Sequence, residues 1–216
     1  RRGSQFTLSA QFTPPYSLFS KKDYKSLYES SSRADREELY RWIEYYKIKF
    51  KSRVYTPLNN SEKYTLVLMG RADFGLLGSY NKYKQTPFET FHVGGDGMTG
   101  SYTYATETIG LRGYDNGALT PYSDGRAYTR FSMELHFPFL LQPSSTIYGL
   151  AFVEGGNAWT SLENFNPFSL KRSAGVGVRI FLPMIGLMGI DWAYGFDKVQ
   201  GEKGGGHFHF ILGQEF

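Results

Sequence analysis

The chain alternates apolar and polar residues over many short segments. In the stretch AYTRFSMELHF, Phe131 and Met133 fall on one face of an extended chain, and Arg130 and Glu134 fall on the other. A period of two residues is typical of β-strands. The same alternation predicts eight strands, near residues 3–13, 41–56, 62–78, 126–138, 145–159, 171–182, 186–197 and 207–216.

The connections between the predicted strands are alternately short and long. TPLNNSE, PFLLQPSS and LPMIGL are turn-like, whereas the other connections cover residues 14–40, 79–125, 160–170 and 198–206. If consecutive strands are antiparallel, all short turns lie at one end of the sheet and all long loops at the other. Outer-membrane barrels have this asymmetry. Connections longer than about 15 residues are uncommon without a function of their own, so the 79–125 loop is a candidate functional segment.

The two faces of the predicted strands differ in chemistry. One is rich in Phe, Trp and Tyr, with Tyr and Trp near strand ends as at a membrane interface. The other carries Gly, Ser, Lys and Arg, which suits a water-filled lumen. The pattern predicts an all-β, antiparallel transmembrane β-barrel. Its predicted lipid-facing residues are Phe131, Met133, Leu135, Val176, Val178, Ile180, Ile190, Trp192, Phe208 and Phe210.

Two segments depart from simple alternation. Glu154 shares parity with the apolar Leu150 and Phe152, which indicates either a bulge or a mixed inner face. The stretch SSRADREELYRWIEYY, within the first long connection, predicts a short helix that begins after Ser31 or Ser32.

Composition narrows the classes of function. The chain has 18 % aromatic residues, a formal net charge of +4 and no cysteine, so it has neither a disulfide framework nor a cysteine zinc site. The row Lys47, Lys49 and Lys51 suggests nucleic-acid binding in isolation, but its alternation fits a polar lumen wall, and we expect no nucleic-acid partner. No nucleophile-elbow motif is present, so no hydrolase is predicted. We expect neither an enzyme nor a bound cofactor. His207 and His209 share a face without a third ligand nearby, so no metal site is predicted.

Several short motifs follow one another along the chain. FHVGGDGMTG precedes GLRGY, which contains Leu111, Arg112, Gly113 and Tyr114. FVEGG, the hairpin SAGVGVRIFLPMIGLMGIDWAYGF and the closing FHFILGQEF come later. GLRGY resembles the [VL]-R-G-[FY] motif in the sixth surface loop of BamA-type outer-membrane assembly factors, a family of bacterial surface antigen barrels. FVEGG is similar to their F-x-D-x-G strand motif, with Glu154 in place of Asp, and the last segments resemble their final strands.

The resemblance implies a role for the loop arginine. In the family, this loop folds back into the barrel and its arginine meets an acidic group on the inner wall. A guanidinium in a confined lumen needs a well-aligned partner to offset its desolvation. Glu154 is the first candidate partner of Arg112, and Asp191 and Asp73 are the next candidates.

The resemblance also implies that residues 1–216 are part of a larger barrel. Family barrels have sixteen strands, and the eight predicted here correspond to the second half. An eight-stranded barrel encloses little more than its own side chains, so it cannot also hold the 79–125 loop. We therefore expect the C-terminal part of an outer-membrane barrel domain, with the family's periplasmic POTRA domains absent from this chain.

The function implied by the resemblance is the insertion and folding of client β-barrel proteins into the bacterial outer membrane. The family's seam lies between the first and last barrel strands, and the last strand here contains Phe208, Phe210, Gly213 and Phe216. The implied partners are client outer-membrane proteins, periplasmic or lipoprotein accessory subunits and the lipid bilayer. Two alternatives stay open: a two-partner secretion pore, which shares the RGY motif, and a soluble β-rich binding module.

Overall fold

A computed structural model describes residues 2–61, 64–97, 107–122, 124–142, 145–183, 186–201 and 204–213. Eight long strands form one sheet in which every neighbouring pair is antiparallel and follows in chain order, apart from two short strands of the long loop. The long strands are β1 (Gly3–Phe12), β2 (Tyr46–Pro57), β3 (Val67–Gly78), β6 (Ala127–Gln142), β7 (Ser145–Trp159), β8 (Lys171–Leu182), β9 (Gly186–Gly195) and β10 (Gly206–Leu212). The two short strands, β4 (Phe91–Val93) and β5 (Glu107–Ile109), pair in parallel.

The predicted alternation is confirmed along the sheet. Val67, Met69, Arg71 and Asp73 of β3 are buried, and the residues between them are half-buried. We call the face with buried polar side chains the inner face. Of the ten residues predicted to face lipid, eight are exposed on the opposite, outer face, and Phe131 and Ile180 are half-buried there. The fold class predicted from the sequence, an antiparallel sheet of eight strands, is therefore confirmed.

The ends of several strands differ from the prediction. β6 continues through the expected turn to Gln142, with a register shift between Pro138 and Leu140 that leaves Phe139 opposite no residue of β7. Proline has no N–H to donate to a ladder, and a bulge accommodates it. β2 begins at Tyr46 rather than at residue 41, because Glu44 turns into the preceding loop and accepts hydrogen bonds from the backbone and hydroxyl of Ser17.

The first long connection is helical in part. It contains α1 (Tyr16–Phe19), α2 (Tyr24–Glu29) and α3 (Arg33–Tyr40). The predicted start of α3 is confirmed, with Ser32 at the N-cap position, although its side chain makes no capping hydrogen bond. No helix within the described ranges is long and apolar enough to cross a membrane.

The long loop between β3 and β6 packs on the inner face of the sheet. Phe91, Val93 and Ile109 of β4 and β5 form a small apolar core with Leu77 of β3 and Tyr128 of β6. The rings of Phe91 and Tyr128 meet edge to face, with centroids 4.7 Å apart. The short strands thus anchor the described part of the loop against the sheet.

The sheet is not closed among the described residues. β1 pairs only with β2, and β10 pairs only with β9. Two strand edges with unpaired backbone groups are unfavourable in lipid and promote aggregation in water. The observed sheet is therefore open, with β1 and β10 at its two edges.

Candidate functional site

The site is centred on Arg112, which the loop carries to the inner face. The side chain is fully buried, and Leu111 before it is also buried. Gly113 after it has φ +87°, and an added Cβ there would lie 2.8 Å from the Cβ of Ser173 and 3.0 Å from the backbone N of Gly195. Glycine both permits this conformation and lets the loop approach β8 and β9 closely.

Three carboxylates surround the Arg112 guanidinium. Nη2 donates to Oε1 of Glu154 at 2.7 Å and also to Oε1 of Glu134, and Nη1 donates to Oδ2 of Asp191 at 3.0 Å. The backbone N–H of Arg112 donates to Oε2 of Glu154 at 3.0 Å. The arginine is thus held by strands β6, β7 and β9 together.

An aromatic ring supports the same guanidinium. The Cζ atom of Arg112 lies 3.5 Å from the ring centroid of Phe152. A guanidinium over an aromatic face gains a cation–π attraction, which is stronger where water is excluded. The mixed inner face of β7 thus has a structural reason: Phe152 packs against the cation that Glu154 binds.

Two further arginines balance the charge of the carboxylates. Arg130 donates from Nη2 to Oε1 of Glu154 at 3.0 Å. Arg179 donates from Nη1 and Nη2 to Asp191 at 2.5 and 2.7 Å. We call Arg112, Arg130, Arg179, Glu134, Glu154 and Asp191 the central network; all six side chains are at most 5 % exposed. Buried charges are tolerated when they are paired and hydrogen-bonded in this way.

Strand register explains how β8 and β9 contribute to the central network. Asp191 lies opposite Gly177 in the ladder. A Cβ on Gly177 would be 1.7 Å from Oδ1 of Asp191, so only glycine leaves room for the carboxylate. The glycine-rich inner face of β8 therefore provides space for the acidic side chain of its neighbour.

The remaining motif residues bind other strands. The backbone N–H of Gly113 donates to Nε2 of His209 on β10 at 2.9 Å. The hydroxyl of Tyr114 donates to the carbonyl of Arg172 at 2.6 Å. Burial raises the pKa of Tyr114 to about 12, so the hydroxyl stays protonated and able to donate at neutral pH.

A second anchor attaches the loop to β2. Glu107 of β5 lies 3.2, 2.8 and 3.5 Å from the Nζ atoms of Lys47, Lys49 and Lys51, and Glu89 lies 3.3 Å from that of Lys47. Burial acts to raise the pKa of Glu107, but the hydrogen bond from Lys49 and the three lysine charges together hold it below its ordinary value.

The structure distinguishes among the candidates drawn from the sequence. It places Glu154 and Asp191 against Arg112, whereas Asp73 accepts from Nε of Arg71 at 2.7 Å and belongs to a separate pair. Sequence reasoning missed Glu134, Arg130, Arg179 and His209 as members or neighbours of the network. The alternation of the strands placed these four residues on the inner face, but many other residues share that position.

The predicted seam residues lie on or after β10. Phe208 and Phe210 are exposed on its outer face. Gly213 follows the strand with φ +70° and donates its N–H to the carbonyl of Leu187 at 2.7 Å. Phe216 lies outside the described residues.

Comparison with known proteins identifies the family. A model of the Omp85 superfamily domain matches residues 1–216. The fold is similar to the crystal structure of BamA from Haemophilus ducreyi lacking POTRA domains 1–3, with a TM-score of 0.57 and 21 % sequence identity over 77 % of this chain and 34 % of that one. The chain thus spans about a third of the length of that structure. Because the family model covers every residue, the chain belongs to the Omp85 superfamily.

Proposed function

We propose that this chain forms the C-terminal half of an outer-membrane β-barrel that inserts and folds client β-barrel proteins, as a BamA-type assembly factor does. Membership of the Omp85 superfamily and the open eight-stranded sheet support this proposal. The site works by recognition and opening of a strand edge, and we assign it no catalytic residue, metal or cofactor.

The observation that carries the proposal is the uncovered backbone edge of β10. This strand has one hydrogen-bonded neighbour, β9, over seven registered residue pairs, and no described strand covers its other edge. A free strand edge can template an incoming strand by β-augmentation. We propose that the edge of β10 pairs with the first strand of the complete barrel at rest and with a client strand during insertion.

The central network has a structural role in this proposal. It holds the loop motif against β6, β7 and β9, while Gly113 contacts β10 through His209. The wall next to the seam is therefore stiffened by the loop while the seam strand itself has little other support. The client proteins contact β10, the accessory periplasmic or lipoprotein subunits bind elsewhere on the complete protein, and the outer face contacts lipid.

The test uses the full-length protein in proteoliposomes. One cysteine replaces Phe210 on β10 and a second is placed opposite it on the first barrel strand, and insertion of a client barrel is followed by its heat-modifiable gel mobility. We expect oxidation of this pair to stop insertion and reduction to restore it. The absence of cysteine from these 216 residues removes competing thiols within them.

A matched control crosslinks strands that stay paired. Cysteines at Phe208 and Trp192 join β10 to β9, where the two residues lie opposite each other in the ladder. We expect this crosslink to leave insertion intact. If the seam crosslink also left insertion intact, the proposal of a laterally opening seam would be wrong, and secretion of a passenger through the lumen would become the function to test.

A further inference from the structure

A polar cavity lies on the inner face, on the β2 side of the central network. Its volume is about 160 Å³, and it is bounded by strands β2, β3, β5 and β6 and by the loop residues Asp96, Gly97 and Gly110. We call it the basic cavity. Its charged side chains are four cations and two carboxylates: Lys51, Arg53, Arg71, Arg130, Asp73 and Asp96.

Strand register places like charges side by side in this cavity. Arg53 of β2 lies directly opposite Arg71 of β3. On the other side of β3, Arg130 of β6 lies opposite Asp73. Like charges directly opposite each other on one face of a sheet destabilise it. Because Arg71 is 8 % exposed, water screens this repulsion poorly. Lys51 and Arg130 are bound by Glu107 and Glu154, but a negative charge next to Arg71 would still relieve the repulsion.

Two buried donors at the cavity lack hydrogen-bond acceptors. Arg71 uses Nε to bind Asp73, but its Nη1 atom has no partner among the described residues. Oγ1 of Thr108, on the loop side of the cavity, has none either. Buried donors without acceptors are rare and each costs free energy. Their convergence on one cavity indicates that an acceptor binds there.

One buried acceptor at the cavity also lacks a described partner, and it makes water an alternative occupant to an anion. Oδ1 of Asp73 is also buried without a described partner. A water molecule could join this oxygen to Nη1 of Arg71, and a carboxylate oxygen next to an anion would weaken its binding. Water is therefore the occupant against which an anion must be tested.

We propose that the basic cavity binds one small tetrahedral oxyanion, of the phosphate or sulfate type, which accepts hydrogen bonds from Arg71 and Thr108. Arg71 belongs to the barrel wall and Thr108 to the loop. The anion therefore joins the loop to the wall between the Glu107 anchor and the central network. Because the cavity lies on the inner face, away from exposed outer residues such as Val178, the expected source is a soluble ion rather than a lipid headgroup.

The first experiment measures phosphate binding by the full-length protein in maltoside micelles, which contain no phosphate. Equilibrium dialysis against radiolabelled inorganic phosphate in a chloride buffer gives the affinity and the stoichiometry. We expect saturable binding of one ion for each protein molecule. Arg71→Gln should weaken the affinity by about tenfold or more, as expected for loss of a hydrogen bond from a charged donor, whereas Lys82→Gln, which removes an exposed loop charge, should leave it unchanged.

A second pair of variants tests the loop side without removing a charge. Thr108→Val deletes the hydroxyl and keeps the shape, and Thr108→Ser keeps the hydroxyl. We expect Thr108→Val to weaken phosphate binding several-fold and Thr108→Ser to retain it. This pair decides the question if gel mobility shows that Arg71→Gln does not fold.

The source of the anion is distinguished by repeating the titration in nanodiscs that contain an anionic phospholipid. Competition with free phosphate there would assign the site to the phosphate of a lipid headgroup, and unchanged affinity would assign it to the soluble ion. The proposal is overturned if the folded protein binds no phosphate or sulfate saturably, which would leave water as the occupant. It is also overturned if wild type, Arg71→Gln and Thr108→Val bind phosphate equally.

Discussion

At the scale of single residues, the position of Arg112 depends on a balance of charge. The central network has three arginines and three carboxylates, and each carboxylate accepts from at least one arginine at a contact shielded from water. Removal of Arg112 leaves three buried carboxylates with two arginines. An uncompensated buried charge is much more costly than the loss of a surface pair. The network therefore makes the loop position strongly dependent on this one side chain.

We predict that Arg112→Ala lowers the free energy of unfolding of the full-length barrel by about 3–5 kcal/mol, the usual effect of breaking a buried pair. Arg112→Lys should lose less, because it keeps the charge but cannot reach Glu154 and Asp191 as a planar fork or stack on Phe152 in the same way. Urea-dependent loss of heat-modifiable gel mobility measures both variants.

Arg172→Ala is the matched control for this prediction. Arg172 also binds a carboxylate, with Nη2 2.9 Å from Oδ1 of Asp197, but its side chain is 69 % exposed. We expect a much smaller effect, because solvent screens exposed pairs and their partners are rehydrated when the pair is broken. Equal effects at the two arginines would contradict the claim that burial makes Arg112 important.

The sequence predicted which residues of the site face inward, but it could not predict which of them are neighbours on adjacent strands. The motif and the inward parity selected Glu154 and Asp191. They could not exclude Asp73, which has the same parity but lies beside Arg71. They could not select Glu134 either, because its contact with Arg112 depends on where the loop meets β6. Alternation fixes the face of a residue, whereas register and loop position fix its neighbours.

At the scale of elements, the long strands were predictable and the short ones were not. β8 and β9 match the predicted bounds almost residue for residue, because each alternates over ten or more residues. β4 and β5 contain three residues each and pair across a distance of sixteen positions. A segment of three residues has too few positions to show a period. These two short strands are held in place by packing on Leu77 and Tyr128 rather than by a periodic pattern in their own sequence.

The assignment of the outer face predicts a cost for charge that depends on depth. Val178 lies near the middle of β8 and is exposed on the outer face. We predict that Val178→Arg destabilises the barrel in a bilayer by about 2–4 kcal/mol, whereas the same change near an interface costs about 0–1 kcal/mol. The measurement is the urea dependence of folding of the full-length protein into liposomes.

Leu182→Arg is the control for depth. Leu182 has the same parity as Val178 and is the last residue of β8, next to a short turn. It tests the same substitution on the same face at the edge of the apolar band. Equal costs at the two positions would mean that residue 178 does not lie at the centre of the bilayer.

At the scale of the whole molecule, the loop connects the two sides of the sheet. Glu107 binds β2, Arg112 binds β6, β7 and β9, and Tyr114 binds β8. Gly113 binds β10 through His209. The described loop thus contacts strands from the second position of the sheet to the last. The order of the loop and the shape of the sheet are therefore coupled. A substitution at Glu107 or at Arg112 should change the protection of strands that the substituted residue does not contact.

The Glu107 anchor predicts a pH dependence of loop order. The folded-state pKa of Glu107 is lowered from 4.5, so its contribution to stability is fully present above pH 4.5 and is lost as the pH falls through the folded pKa. We expect Glu107→Gln to increase hydrogen exchange of residues 107–120 at neutral pH, and the difference from wild type to disappear at acidic pH. Glu89→Gln, which loses one lysine contact instead of three, should have a smaller effect. A difference that stays constant with pH would contradict an electrostatic anchor.

The contact between Gly113 and His209 predicts that the loop controls the order of the seam strand. His209 is 5 % exposed, and its Nε2 is the acceptor for a buried backbone N–H of the loop motif. His209→Ala leaves that N–H without this acceptor, at a cost of about 1–3 kcal/mol. Because β9 is the one hydrogen-bonded neighbour of β10 within the described ranges, this loss should appear as faster hydrogen exchange of residues 206–212 while β6 and β7, which each have two described neighbours, stay protected. His207→Ala is the control, since its ring is on the same face but is partly exposed and contacts Asp115 at 3.2 Å instead of the motif. If the two histidine variants gave the same exchange in β10, the loop would not hold the edge. Faster exchange in His209→Ala alone would connect the Arg112 motif, through one hydrogen bond, to the strand that we propose opens to clients.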